Sequence, residues 1–401
     1  MYLFYLMYNN IEVQKEKNVF VMSANSELIK EGIQIIGPLN ELEVNKIATV
    51  IARKLCNAFP EHNLDYNKLI NAINTLKMYV AKFPGDNSAA KYFYKNNSIY
   101  FSNKTDLSSL DTLAIHECIH FLQEVKSDSG RLVRMGLYQN GLFKSSGMGL
   151  NEAAVQLMAS IASQTPFDSV HYFGMDFTTQ SSEYYPILTS LIRQMTYFTG
   201  TYPLFHSTLF SDDIFKNTFI ANSNPEAFEE ISKNFDNILK FEEELNNVTN
   251  RMFIISNSPS EAKRYNDLLH KAETLKKQIH NTTINTQNCI IKNCFDKEFE
   301  LVKDKESLKR FQKKIYNFKN LIIQTENYEY YLEYYRSIMD ELAIKSEIIK
   351  RYGVIIYSEE AQKDLALAAK TQYNISFFNM AMNKLREIRY IVAETIRPKD
   401  I

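Results

Sequence analysis

The stretch Asp111-Thr-Leu-Ala-Ile-His-Glu-Cys-Ile-His120 decides how the chain is read. Around it Leu107, Leu110, Ala114, Ile115, Cys118, Ile119, Leu122 and Val125 recur at helical spacing, which predicts a largely buried helix over about 107–126. Within a helix, His116 and His120 project from one face, one turn apart. Two imidazoles so disposed suit a single tetrahedral zinc ion. Glu117 lies about 100° around the helix from His116, where its carboxylate reaches a zinc-activated water without ligating the metal. It is the expected general base. A chance match to this His-Glu-x-x-His pattern is expected on the order of 0.01 times for this composition, so the pattern carries weight.

Two histidines leave zinc short of a ligand, since hydrolytic sites take three protein ligands and keep a fourth position for water. Downstream, glycines at 130, 136, 141, 147 and 149 mark an irregular connection. Beyond it Gly149-Leu-Asn-Glu-Ala-Ala-Val-Gln156 opens an amphipathic helix near Asn151, with Asn151 read as its cap. The connection is long enough to fold this helix back on the first, so Glu152 is the candidate third ligand. Cys118 turns away from the metal in this arrangement and reads as a small core residue.

The pattern resembles the gluzincins, zinc metallopeptidases in which His-Glu-x-x-His is followed by a ligand glutamate on a second helix. The resemblance covers about residues 92 to 165. It implies that His116, His120 and Glu152 hold the metal, that Glu117 is the catalytic acid and base, and that the substrate is a peptide or protein. Gln156 stands where thermolysin-like members carry an aspartate that orients a ligating histidine. The interval from His120 to Glu152 is longer than in that group and nearer to clostridial neurotoxin light chains. The resemblance also implies that the aromatic hairpin at 92–101 ends in an edge strand that pairs with an extended peptide. Members use a downstream Tyr, His or Arg for the oxyanion; here Tyr202 and His206, in Tyr-Pro-Leu-Phe-His, are the candidates.

The rest of the chain frames this region. Residues 1 to 36 alternate apolar and polar positions, as in short strands including Val19–Met22 and Ile33–Ile36, with Gly37-Pro38 as the break. Asn40-Glu-Leu-Glu43 opens a helix as a capping box, and a second helix is expected over about 66–82. Tyr92 to Phe101 reads as a hairpin about Asn96-Asn97. Beyond about 225 the texture becomes helical, with helices expected near 225–255, 259–282, 304–326, 327–351 and 358–396, a capping box at Ser258-Pro-Ser-Glu261 and a stop at Gly353. The expected organisation is α+β: an N-terminal β element with helices (1–90), a zincin-like catalytic core (91–224) and a mostly α-helical C-terminal domain (225–401).

Composition narrows the function. Lysine plus arginine (46) balance aspartate plus glutamate (47), which argues against nucleic acid or an anionic membrane surface as partner. Four scattered cysteines make no disulfide framework, and Cys289 and Cys294 lack the histidines of a second metal site. The apolar Met1–Tyr8 lacks the basic flank and cleavage site of a signal peptide, and no stretch has the length of a membrane span, so a cytoplasmic location is expected. The tyrosines at 328, 330, 331, 334 and 335 read as packing between helices. Beside the peptidase stand two rivals: a zincin-fold binding or regulatory protein without turnover, and a toxin-like effector protease.

Overall fold

The structure is a computed structural model that describes residues 28–29, 32–83, 90–105, 107, 112–141, 145–255, 262–326 and 329–352. The strands expected before residue 28, the capping box at 258–261, Tyr328, Gly353 and the helix at 358–396 lie outside these. The described residues make a mixed α+β fold.

Strand β1 (Gln34–Pro38) runs through Gly37-Pro38 instead of stopping there. Its pairing with the next strand shifts between Ile35 and Gly37, so Ile36 is the extra residue of a bulge and the glycine stays in the ladder, opposite Val80. Helix α1 (Glu41–Ala58) starts at the expected capping box: Asn40 and Glu43 exchange side-chain to backbone hydrogen bonds, and Val44, Ile47, Ala48, Ile51 and Leu55 are buried.

The helix expected over 66–82 divides into α2 (Tyr66–Ile73) and strand β2 (Lys77–Lys82). Ile73, Leu76 and Val80 mimic helical spacing, but Met78 and Ala81 turn inward from a strand that pairs in parallel with the hairpin. That hairpin is β3 (Ala90–Phe93) and β4 (Ser98–Ser102), with Asn97 in the left-handed region at φ 50°. The sheet order β1-β2-β4-β3 puts β4 in the interior, so the edge strand is the hairpin's first arm, not its second.

Helix α3 (Thr112–Leu122) carries the histidines and ends four residues sooner than its periodicity predicts. The chain then enters β5 (Glu124–Lys126), the first strand of an antiparallel meander with β6 (Leu132–Met135), β7 (Tyr138–Asn140) and β8 (Ser145–Ser146). Among the described residues, much of the glycine-rich connection is thus sheet. Gly136 turns β6 into β7 at φ 58°, and a Cβ there would meet Asn151 Oδ1 and Gln123 Nε2 at 2.3 Å.

Helix α4 (Met148–Ala162) begins three residues before Asn151, which is therefore an interior residue and not the cap. Strands β9 (Asp168–Tyr172) and β10 (Met175–Thr179) form a hairpin, followed by α5 (Pro186–Thr199), α6 (Thr201–Phe210) and α7 (Ile214–Ala221). Then come the long helices α8 (Pro225–Ile255) and α9 (Ala262–Glu300), with α10 (Lys305–Phe318) and α11 (Tyr330–Tyr352). The first matches its expected span. The second passes well beyond 282 because Thr283, Thr286 and Gln287, polar positions that read as a helix end, are buried and bonded: the two hydroxyls donate to the carbonyls four residues back, and Gln287 donates to the carbonyl of Ile323.

One core runs from Val44 to Ile349 and joins the sheet side to the helical half. Phe198 of α5, Phe295 of α9 and Phe318 of α10 meet edge to face at 4.9 and 5.2 Å, a geometry that aromatic quadrupoles favour. Tyr331 packs on Phe318 of α10 and Tyr334 on Phe295 of α9, the packing between helices read from their spacing. Among the described residues no helix is long and apolar enough to cross a membrane.

Candidate metal centre

Helix α3 is apolar over most of its surface because it lies between the sheet and α4, and this burial encloses His116 (5% exposed) and His120 (6% exposed). Helix α4 is fixed from its N-terminus. Gly147 caps it without a side chain, and Asp236 of α8 supplies the missing acceptor, taking the N–H groups of Gly147 at 3.0 Å and Gly149 at 2.8 Å. Gly149 lies so near α8 that a Cβ would meet the Phe235 carbonyl oxygen at 2.3 Å. This close docking delivers Glu152, one turn into α4, to the two imidazoles.

The three side chains converge. His116 Nε2 and His120 Nε2 are 2.9 Å apart, and the Glu152 carboxylate oxygens lie 3.2 Å from the first and 3.3 Å from the second. Among the described residues this is the group of histidine, cysteine and carboxylate side chains able to hold a metal ion. Donors at zinc distances of 2.0–2.1 Å on the corners of a tetrahedron stand about 3.3 Å apart, so the spacing fits such an ion.

The hydrogen bonds behind the imidazoles fix which nitrogen is bare. The Ser181 hydroxyl donates to the Tyr184 carbonyl, leaving its oxygen to accept from Gln156 Nε2 at 2.8 Å. Gln156 Oε1 must then face His116 Nδ1, at 2.8 Å, and accept its proton. On the other side Gln123 Nε2 donates to the Thr208 carbonyl at 2.9 Å, so Gln123 Oε1 accepts from His120 Nδ1 at 3.0 Å and from Asn151 Nδ2 at 2.9 Å. The Leu137 N–H, donating to Asn151 Oδ1 at 3.0 Å, orients that amide in turn. Both histidines therefore carry hydrogen on Nδ1 and turn Nε2 inward, where two nitrogen lone pairs and a carboxylate crowd one point. A cation answers that crowding. Replacing Gln156 with leucine frees the His116 ring, and the expected result is a zinc affinity 10- to 100-fold weaker in a chelator-competition titration, with the thermal melt little changed.

Without metal, a proton fills the same role. Burial alone would lower the His120 pKa, but the charge and hydrogen bond of Glu152, with Glu117 and Gln123 behind them, override it and raise it to about 9. Burial opposes ionisation of Glu152, yet the two imidazoles hold its carboxyl well below the usual range. A zinc ion binding there near pH 7.5 would displace the His120 proton. Calorimetry in buffers of different ionisation enthalpy is expected to show about one proton released per zinc, with release vanishing above about pH 9. In the metal-free fold the raised His120 pKa contributes stability that is fully present below about 6.5 and is lost as pH rises through about 9.

Glu117 is on the same helix and half-buried, and its Oε2 accepts the Tyr92 N–H of edge strand β3 at 2.5 Å. Cys118 is fully buried, and burial pushes its thiol well up, which makes it an unreactive core residue. Tyr202 and His206 are elsewhere on α6: Tyr202 stacks on His62 at 4.6 Å, and His206 pairs with Asp212 at 2.8 Å. Neither forms a hydrogen bond, ion pair or ring contact with His116, His120 or Glu152.

The phenol beside the cluster is Tyr185. Its ring centroid is 6.2 Å from that of His116, and burial, added to by the charges of Glu152 and Glu117, raises its pKa well above the ordinary value. It caps α5 from the left-handed region, φ 50° and ψ 46°, a strained setting for a bulky residue. Sequence reading passed over Tyr185 because nothing distinguishes it among 25 tyrosines. It also passed over Gln123, although a residue three positions after His120 shares its helix face and was there to be found. Compared with family models, curated proteins and solved structures, the chain matches none.

Proposed function

We propose that the chain is a zinc-dependent metallopeptidase with a zincin-like core of gluzincin type. The observation that carries this reading is the convergence of two bare imidazole nitrogens, each oriented from behind by an amide, with one carboxylate, on a point where the charge of Glu117 acts on His120. A divalent ion bound there supplies Lewis acidity to a water and to the scissile carbonyl.

The protein's own groups do the rest. Glu117 takes the proton of the attacking water and hands it to the departing amine. Because β3 is the sheet edge and its Tyr92 N–H points at Glu117, a substrate strand laid along that edge would bring its backbone to the base. Tyr185, kept protonated by burial and by its acidic neighbours, donates its hydroxyl hydrogen to the carbonyl oxygen as charge develops there. It takes over the part first given to Tyr202 and His206.

Cleavage of an undirected peptide library by the zinc-loaded protein tests the reading. Tyr185→Phe is expected to lower kcat by about 100-fold with zinc content and KM nearly unchanged. One observation favours the second reading, a binding or regulatory protein that keeps the metal: both histidines are oriented by neutral amides, which lend their rings less basicity than a carboxylate would. A library left intact by wild-type protein holding a full equivalent of zinc would decide for it.

A further inference from the structure

Two fully buried amides, Gln194 of α5 and Gln287 of α9, hold a segment that lies between α10 and α11 and belongs to neither helix. Gln194 Nε2 donates to Gln287 Oε1 at 2.7 Å and to the Leu321 carbonyl at 2.9 Å. Gln287 Oε1 accepts the Ile323 N–H at 2.7 Å, and its Nε2 donates to the Ile323 carbonyl at 3.0 Å. One residue on, Gln324 exchanges both backbone hydrogen bonds with Asp176 of β10, at 2.8 and 2.9 Å. Amides in a core are costly unless partnered, and here the partners are the backbone groups of residues 321–323.

What the segment lines gives this fixing a purpose. Together with the last turn of α10 and the first two turns of α11 it encloses a cavity of about 570 Å³, within the size range of small-molecule sites. Aromatic and aliphatic side chains make most of the lining: Tyr316, Ile322, Tyr331, Leu332 and Tyr335. The Tyr331 hydroxyl hydrogen is already committed to the Ile315 carbonyl, so this residue offers its ring. Among the described residues that line the cavity, Lys319 is the only charged one. Its Nζ lies 3.9 Å from the centre of the Tyr316 ring and has no ion-pair partner among the described residues. The side-chain amides of Asn320 and Gln324, in the same lining, make no hydrogen bond among the described residues. Aromatic walls with an ammonium and two unused amides match a ligand that is flat and apolar at one end and anionic at the other.

We propose that this cavity is a binding site for a small aromatic carboxylate, with its ring against Tyr331 and Tyr335 and its carboxylate on Lys319. The lining shares no residue with the metal centre, so the proposal stands apart from the peptidase reading.

The chain has no tryptophan, so the emission of an indole probe can be followed without interference from the protein. The protein is titrated, by anisotropy of that emission, with indole-3-propionate, with its neutral amide indole-3-propionamide and with the amine tryptamine. The acid is expected to bind saturably and at least tenfold more tightly than the amide or the amine. Hexanoate, which has the charge without the ring, is expected not to displace it. Lys319→Gln is expected to bring acid and amide to within about twofold of each other. Leu332→Glu puts a carboxylate into the lining and is expected to weaken the acid at least tenfold. Both side chains are exposed, so each variant should melt as wild type does. Protein stripped of metal by a chelator is expected to bind the acid unchanged. Equal binding of acid, amide and amine, or no saturable binding of the acid, overturns the site. Acid binding that both variants leave unaltered does the same, since the probe then sits elsewhere, as does binding that disappears with the metal. Cleavage of a peptide library, or its absence, alters none of these results, so the two readings fail separately.

Discussion

Glu117→Gln protein is expected to keep its zinc and to lose peptide cleavage by a factor of 10²–10⁴ in kcat, the range that a positioned acid–base group contributes. The substitution is close to isosteric. The glutamine carbonyl oxygen can still accept the Tyr92 N–H, so the link between α3 and the edge strand survives. Neither the His116–His120–Glu152 cluster nor the amides behind it touch this side chain, so zinc content and melting temperature should match wild type. On the proposed mechanism, what disappears is the acceptor for a water proton and the donor for the leaving amine. KM should change little, because the exposed edge of β3, where the substrate is proposed to lie, is unaltered. Steady-state kinetics on one cleaved peptide, with zinc measured on the same sample, checks all three statements. Cleavage within tenfold of wild type at equal zinc would exclude Glu117 as the base.

The parts of this molecule legible in the sequence are those whose signals are local. The capping box at Asn40, the hairpin about Asn97 and the span of α8 depend on neighbours within a few residues, and each has its expected place. The spacing of His116 and His120 is of the same kind, since a helix fixes the relation between positions four apart. Reading failed where a distant contact overrode a local pattern. Ile73, Leu76 and Val80 are helically spaced, yet residues 77–82 are taken by parallel pairing with β4. Val125 continues the periodicity of α3, yet pairing with β6 takes it into a strand. The threonines of α9 look like a helix end in isolation and become interior once their hydroxyls bond within the helix. The site divides in the same way: the histidines could be read, and Glu152 could be guessed from its helix. Tyr185 owes its position to the docking of α5 beside α4, and no short pattern records that.

Glu152→Ala is expected to weaken zinc binding by a factor on the order of 10³, more than loss of either amide behind the histidines. The carboxylate is the anion of the cluster, and it sits where water cannot replace it well, with two neutral imidazoles left to face a divalent charge. The same change alters the protons. With Glu152 gone, the influence that raises His120 to about 9 is largely removed, burial works unopposed by it, and the ring falls back toward its ordinary value. Zinc uptake by the variant near pH 7.5 should therefore release almost no proton, where wild type releases about one. Affinity and proton release thus fall together, although a lost proton competitor taken alone would strengthen binding. A glutamate merely resting at a helix start predicts neither change. Elemental analysis alongside His116→Ala supplies the reference: equal zinc in wild type and both variants would mean that the three side chains meet for some reason other than a metal.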